Sequence, residues 1–293
     1  MTTDRPHSGD EGDEGAPAAE VPLTGGDVTE GVVRLGDTVR RPVSTVSESV
    51  RRVLEHLESV GFDGAPRFHG VDAQDRDILD FIDGEVAGRP WPAWVAWPER
   101  IASVARLVRS FDDAMEPLGV PSWADGLRQP VVSGAPDPIA GEPTLIAHLD
   151  ITPENVVFRE GRAAALIDFD LIRPATRAQE VANLLLWWGG WMPEADREAA
   201  TRRLDPAATG ALIVDTYGLD DTSRATLVEL SINLADRSWF TMKSRAELLG
   251  GGWRRMWDDG VGDRILRRAQ WLRENQTELQ RGVAPAAIAR QGE

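Results

Sequence analysis

The spacing of apolar positions changes character several times along the chain. Around Gly36 and Asp37, Val32 and Val33 precede and Thr38 to Arg41 follow, with Pro42 closing the run. This predicts a β-hairpin. In "STVSESVRRVLEHLESVGF" the apolar residues Val46, Val50, Val53, Leu54, Leu57 and Val60 recur at helical spacing, with Ser44, Thr45 or Ser47 as N-cap and Gly61 as stop. Two extended runs come next, "APRFHGVD" and "RDILDFIDGE", so the order so far is strand, strand, helix, strand, strand. Beyond the Pro- and Trp-rich connector "RPWPAWVAWPER", a stripe of Ile101, Val104, Leu107, Val108 and Phe111 predicts a helix from Pro98 to Met115. "TLIAHLD", "NVVF" and "ALIDFD" read as three short strands, and the rest reads as helices over 177–189, 194–203, 206–217, 222–249 and 261–281. A small sheet with one helix therefore precedes a larger, mainly helical part, joined near Gly84 to Trp97. A cleft between the two is the natural ligand site.

Composition narrows the classes. The chain has 293 residues and 42% hydrophobic positions, enough for a substantial core. Without cysteine there is no disulfide, thiolate metal site or thiol nucleophile, which fits a reducing compartment. The first residues lack the basic-then-apolar order of a leader, and no apolar run reaches the ~18 residues of a membrane span, so the reading is cytoplasmic and free of membrane. A net charge of -16 without a basic stripe argues against nucleic acid. Residues 1–20, with six acids against one arginine, carry -5 of that charge and read as a disordered tail. The remaining -11 would draw in cations, although a solubilising surface is the more ordinary reading.

The chemistry concentrates in "HLDITPENVVF" (148–158) and "LIDFD" (166–170). Asp150 and Asn155 share one loop, and Asp168 lies thirteen residues beyond the asparagine at the end of a hairpin, so the three can converge. Oxygen ligands suit Mg²⁺, which takes one or two side chains and completes its shell with phosphate and water. A carboxylate left over can take a proton from a hydroxyl nucleophile. Together these are the parts of phosphoryl transfer. An Asx-type turn fixed by Pro153 would explain Asp150 and Asn155 without function, but leaves Asp168 unexplained.

The pair "HLDITPEN" and "LIDFD" resembles the catalytic and metal-binding loops of the protein-kinase-like superfamily, in particular its small-molecule branch of aminoglycoside phosphotransferases and choline and homoserine kinases. The resemblance spans roughly residues 22–280. It implies an α+β, two-lobe, protein-kinase-like fold: the tail over 1–20, a β-rich N-lobe over 21–85 and a mainly helical C-lobe over 86–293. It implies ATP and Mg²⁺ as cofactors and a small hydroxyl-bearing acceptor that is aminoglycoside-, amino alcohol- or sugar-like. By the same resemblance Asp150 takes the acceptor proton, His148 braces the loop, and Asn155 and Asp168 hold the metal. Asp170 is a neighbour of the metal shell or a helix cap. Gly25 and Gly26 in "TGGDVTEG" cover the phosphates, and "DFIDGE", with Phe81 and Asp83, is the hinge that meets adenine.

The sequence departs from that family in places. Leu149 stands where a glycine is usual, and Glu180 where an aspartate is. The N-lobe lysine that holds nucleotide phosphates is missing, since Lys243 is the only lysine. Arg40 and Arg41 are the substitutes, and strand alternation assigns Arg41 to the phosphates if Val39 lines the adenine pocket. Its helix partner would be Glu48 or Glu55, with Glu48 nearer the helix start. The missing lysine also supports a second reading, a weak or inactive nucleotide-binding relative that acts through partners. The tryptophan clusters Trp91, Trp94, Trp97 and Trp187, Trp188, Trp191 form either an aromatic wall for the acceptor or, more ordinarily, packing.

Overall fold

The computed structural model describes residues 19–23 and 31–285. Gly25, Gly26 and residues 1–18 of the tail lie outside the described residues. The N-lobe is an antiparallel sheet of β1 (Val21–Pro22), β2 (Val33–Leu35), β3 (Thr38–Pro42), β4 (Phe68–Val71) and β5 (Arg76–Asp80), in the order β1-β2-β3-β5-β4. Gly36 adopts φ 61°, the left-handed turn conformation that the β2–β3 hairpin needs. Helix α1 (Ser47–Ser59) lies between β3 and β4 in sequence and buries Val50, Val53, Leu54 and Leu57, the stripe its spacing foretells. Its start differs from expectation: Val46 occupies the N-cap, and the Ser47 hydroxyl accepts from the Ser44 amide at 2.9 Å. The serine is drawn into the preceding turn instead of capping the helix.

The C-lobe begins with α2 (Pro98–Met115), whose inner face includes Ile101, Val104, Val108 and Phe111. Then come β6 (Leu145–Ala147), β7 (Val156–Arg159), β8 (Arg162–Leu166) and β9 (Arg173–Ala175), paired as two antiparallel ribbons, β6 with β9 and β7 with β8. Helices α3 (Arg177–Trp187), α4 (Pro206–Tyr217), α5 (Asp221–Leu248), α6 (Gly251–Asp258), α7 (Val261–Glu274) and α8 (Gln276–Val283) complete it. One continuous core runs from Leu54 of α1 through Phe111, Ile151 and Trp188 to Leu279 of α8. The link between the lobes is pinned by Glu85 and Phe158, which exchange two backbone hydrogen bonds of 2.8 Å.

Several predicted boundaries move. The stretch 194–203 is two short 3-10 turns, Glu194–Asp196 and Ala199–Thr201. There the buried Arg197 guanidinium donates to the carbonyls of Met192 (2.9 Å) and Leu204 (3.0 Å), satisfying the backbone of an irregular stretch. The 261–281 helix is split at Asn275, whose side chain donates to the Trp271 carbonyl at 2.8 Å and helps to end α7. Helix α6 and strand β9 have no counterpart in the local pattern. The three glycines at 250–252 interrupt the helical pattern, and β9 exists only through its pairing with β6.

Candidate active site

β6 delivers the chain to His148, and helix α3 shapes the loop beyond it. The Glu180 carboxylate accepts from the His148 and Leu149 amides, both at 2.8 Å. Asn183, one turn on, accepts from the Ile151 amide at 2.9 Å and donates to the Leu149 carbonyl at 3.1 Å. Just past the helix, the Trp188 indole donates to the Ile151 carbonyl at 2.8 Å. The loop backbone is thus held group by group from one helix face. This accounts for the departure at Leu149, which takes φ 58° with its side chain buried. Left-handed backbone costs a non-glycine residue about 1–2 kcal/mol, less than the bonds that hold this one.

His148 is fully buried. Its Nε2 donates to the Ile167 carbonyl at 3.1 Å while Nδ1 faces the Asp150 amide at 3.3 Å, which fixes one neutral tautomer. Burial pushes its pKa down to about 4, so the ring is uncharged at neutral pH. Its ring stands edge-on to Phe169 at 4.7 Å.

Asn155 ties the loop together: Nδ2 donates to the Asp150 carbonyl at 2.9 Å and to its carboxylate at 3.0 Å. The Asn155 carbonyl in turn accepts from the Ile167 amide at 3.0 Å, which sets Asp168 beside the loop. Burial, then the charge of Asp168, raises Asp150 to about 7, only partly offset by the Asn155 hydrogen bond. Asp168 sits at φ 62° just past the end of β8. With Nδ2 turned to Asp150, the Asn155 side-chain oxygen accepts no bond among the described residues. It and the Asp168 carboxylate are hard oxygen donors, the kind that Mg²⁺ takes alongside phosphate and water. Among the described residues there is no group of three or more histidine, cysteine or carboxylate side chains placed to hold a metal ion.

Strand alternation resolves the arginines. Arg41 Nη2 donates to Asp168 at 2.9 Å and also meets Asp170. Arg40 turns to the other face, to the Thr38 hydroxyl at 2.6 Å and to Asp72 at 3.6 Å, and does not join the site. Glu48 does not partner Arg41. It pairs with Arg52 one turn along the exposed side of α1, while Arg41 turns to the two aspartates. In the linker the Phe81 amide donates to the Asp37 carbonyl at 2.9 Å, its ring carries the Arg34 guanidinium at 3.6 Å, and the Asp83 carbonyl accepts from Arg159 at 2.8 Å. Among the described residues the Phe81 carbonyl and the Asp83 amide have no partner, an acceptor and a donor of the kind a purine edge requires.

Sequence reasoning missed Asn183 and the bond of Trp188 to the loop, although Glu180 and Asn183, three apart on one helix, carried the signal. It also gave no role to Arg173, whose Nη1 donates to the Leu171 carbonyl at 3.1 Å, or to Arg245, whose guanidinium lies over the Trp253 ring at 4.4 Å. Both arginines have lowered pKa values, Arg173 to about 10, first through burial and then through the charge of Arg245. Of the tryptophans, Trp188 and Trp191 are fully buried and Trp94 packs edge-on to Phe158 at 5.0 Å, so they build core. A cavity of about 520 Å³ between α4, α7 and α8 shares none of the residues around Asp150.

A small antiparallel lobe, a helical lobe and a loop that joins Asp150, Asn155 and Asp168 define a kinase-like phosphotransferase of small molecules. The profile of the phosphotransferase enzyme family matches residues 11–212, and the chain belongs to that family. It is 30% identical over 225 residues to the trifolitoxin immunity protein of Rhizobium leguminosarum bv. trifolii, covering 74% of this chain and 80% of that one. Among solved structures it is similar to a choline/ethanolamine kinase family protein from Mesorhizobium loti (TM-score 0.57, 14% identity, 93% of this chain and 94% of that one). It is also similar to aminoglycoside 2'-phosphotransferase-IIIa in its GDP complex (TM-score 0.55, 13% identity, 91% and 95%). The described residues include no helix long and apolar enough to cross a membrane.

Proposed function

We propose that this protein transfers the γ-phosphate of ATP to a hydroxyl group of a small molecule, in the cytoplasm, with Mg²⁺ as the metal. The observation that carries the reading is Asp150: a half-buried carboxylate held by Asn155, beside Asp168, with a pKa raised to about 7. A base with that pKa takes a proton readily at neutral pH and is half deprotonated to begin with. Asn155 and Asp168 would hold Mg²⁺, which supplies charge neutralisation on the β- and γ-phosphates. Asp150 orients the acceptor hydroxyl and takes its proton. Arg41, on the strand face turned to Asp168, meets the phosphates in place of the usual lysine. Its planar fork suits two phosphate oxygens at once. Phe81 and Asp83 offer backbone groups to the adenine edge. Buried His148 keeps the loop in register.

The alternative, an inactive relative acting through partners, rests on the missing lysine. The contact of Arg41 with Asp168 supports the catalytic reading instead. The test is calorimetry of ATP with and without Mg²⁺ on the wild type, Asp168→Ala and Arg41→Ala. Magnesium-dependent ATP binding lost in Asp168→Ala is the expected result. No binding at millimolar nucleotide would sink the proposal.

A further inference from the structure

A long, rotamer-rich cation meets phosphate well only when its side chain is held in place. The spacing along α1 nominates Glu48 or Glu55 to hold Arg41, and the fold gives the task to neither. Glu48 pairs with Arg52 on the outer side of the helix, and Glu55 is exposed. Towards the sheet the helix presents a cation instead: Arg51 Nε donates to the buried Asp77 carboxylate at 2.8 Å. Asp77 is the residue opposite Arg41 in the β3–β5 register, so the carboxylate nearest to Arg41 on the sheet is already engaged by α1.

Arg41 reaches across to the C-lobe. Its Nη2 donates to Asp168 Oδ1 at 2.9 Å and also to Asp170 Oδ2. Between the two aspartates, Phe169 is buried, with its ring edge-on to Phe111 at 6.1 Å. The 3-10 turn Phe169–Leu171 packs against α1, which fixes where Asp170 stands. Arg41, Asp77, Asp168 and Asp170 line one small cavity beside that helix. The two carboxylates that meet Arg41 have different work to do, because Asp168 is a metal donor in the phosphotransferase reading above, on which this inference rests. We propose that Asp170 is the positioning residue of Arg41, holding the guanidinium at the phosphate site while Asp168 is engaged with the metal. One short loop, 168–170, then sets both a metal donor and the phosphate-binding cation, and the acidic residues of α1 have no part in it. Charge alone argues for the opposite effect. A carboxylate near phosphates repels them, and its removal would tighten ATP binding. The sign of the change in ATP affinity therefore separates a positioning carboxylate from a mere neighbour.

Calorimetry of ATP on the full chain reads that sign. Asp170→Asn keeps the side-chain shape and removes the charge, and ATP affinity with Mg²⁺ present should fall about fivefold or more. Asp170→Glu, which keeps the charge, should lose less. In an Arg41→Ala background Asp170→Asn should cause no further loss, because the side chain it positions is gone, whereas a structural role would subtract in both backgrounds. The Mg²⁺ concentration for half-maximal ATP binding should be the same in Asp170→Asn as in the wild type. Equal or tighter ATP binding by Asp170→Asn overturns the inference, as does a loss that adds to that of Arg41→Ala. A changed Mg²⁺ requirement makes Asp170 a metal donor and overturns it too. Thermal unfolding checks each variant, and if Asp170→Asn does not fold, Asp170→Glu alone and with Arg41→Ala carries the same comparison. A wild type that binds no ATP removes the underlying reading and the inference with it.

Discussion

At the level of single residues, the site is governed by proton affinity. Asp150 is raised to about 7 by burial and by Asp168, so kcat/KM should climb as pH increases from about 6 to about 8 with a midpoint near 7, measured at saturating Mg²⁺. Asp150→Asn should lower turnover by roughly 10²–10⁴-fold while nucleotide binding persists. The same shift has a consequence for stability. A carboxylate whose folded pKa lies above its unfolded value of 3.8 stabilises the fold fully below that value, and the contribution is lost as pH rises through about 7. Thermal unfolding should therefore show the Asp150→Asn protein gaining on the wild type as pH goes from about 4 to about 8; an unchanged difference would mean the carboxylate is not perturbed. For Arg41, replacement by Lys should retain more ATP affinity than replacement by Ala, because a point charge still reaches phosphate although the fork is lost.

Among the elements, α3 is the template of the loop that starts at His148. Glu180, Asn183 and Trp188 hold the backbone of residues 148–151, and the strained φ of Leu149 persists because those groups are satisfied. Asn183→Ala leaves the Ile151 amide and Leu149 carbonyl without these partners and should cost about 1–3 kcal/mol in urea unfolding. It should also lower kcat more than it alters ATP affinity, since the loop and not the N-lobe loosens. Burial holds the Glu180 pKa at about 7 even with two amides donating to it, so at pH ~6 Glu180→Gln should be milder than Glu180→Ala.

Across the whole molecule, the lobes meet where the linker passes the β7–β8 ribbon. Gly84 has φ 155°, and a Cβ there would stand 2.5 Å from Val157 and 2.7 Å from the Phe158 carbonyl. The Glu85–Phe158 pairing, and the chain direction into the C-lobe, depend on that close approach. Gly84→Ala should lower the unfolding free energy by about 1–3 kcal/mol and weaken ATP binding with it. Full stability together with full affinity in this variant would show that the linker tolerates displacement.

Local period and turn chemistry made a large part of this protein legible in its sequence. Helices α1, α2 and α5, the β2–β3 hairpin, and the loop and hairpin that bring Asp150, Asn155 and Asp168 together all arise from residues near in the chain. Alternation along β3 also sufficed to separate Arg41 from Arg40. The other features were settled by packing, because they depend on partners distant in sequence. Strand β9 exists by pairing with β6, Glu48 was drawn to Arg52 on its own helix face and not to Arg41, and Asn183 and Trp188 found the catalytic loop only once α3 packed beneath it. Charge summed over a sequence is acidic here, but charge at a site is set by which side chains the fold gathers around it.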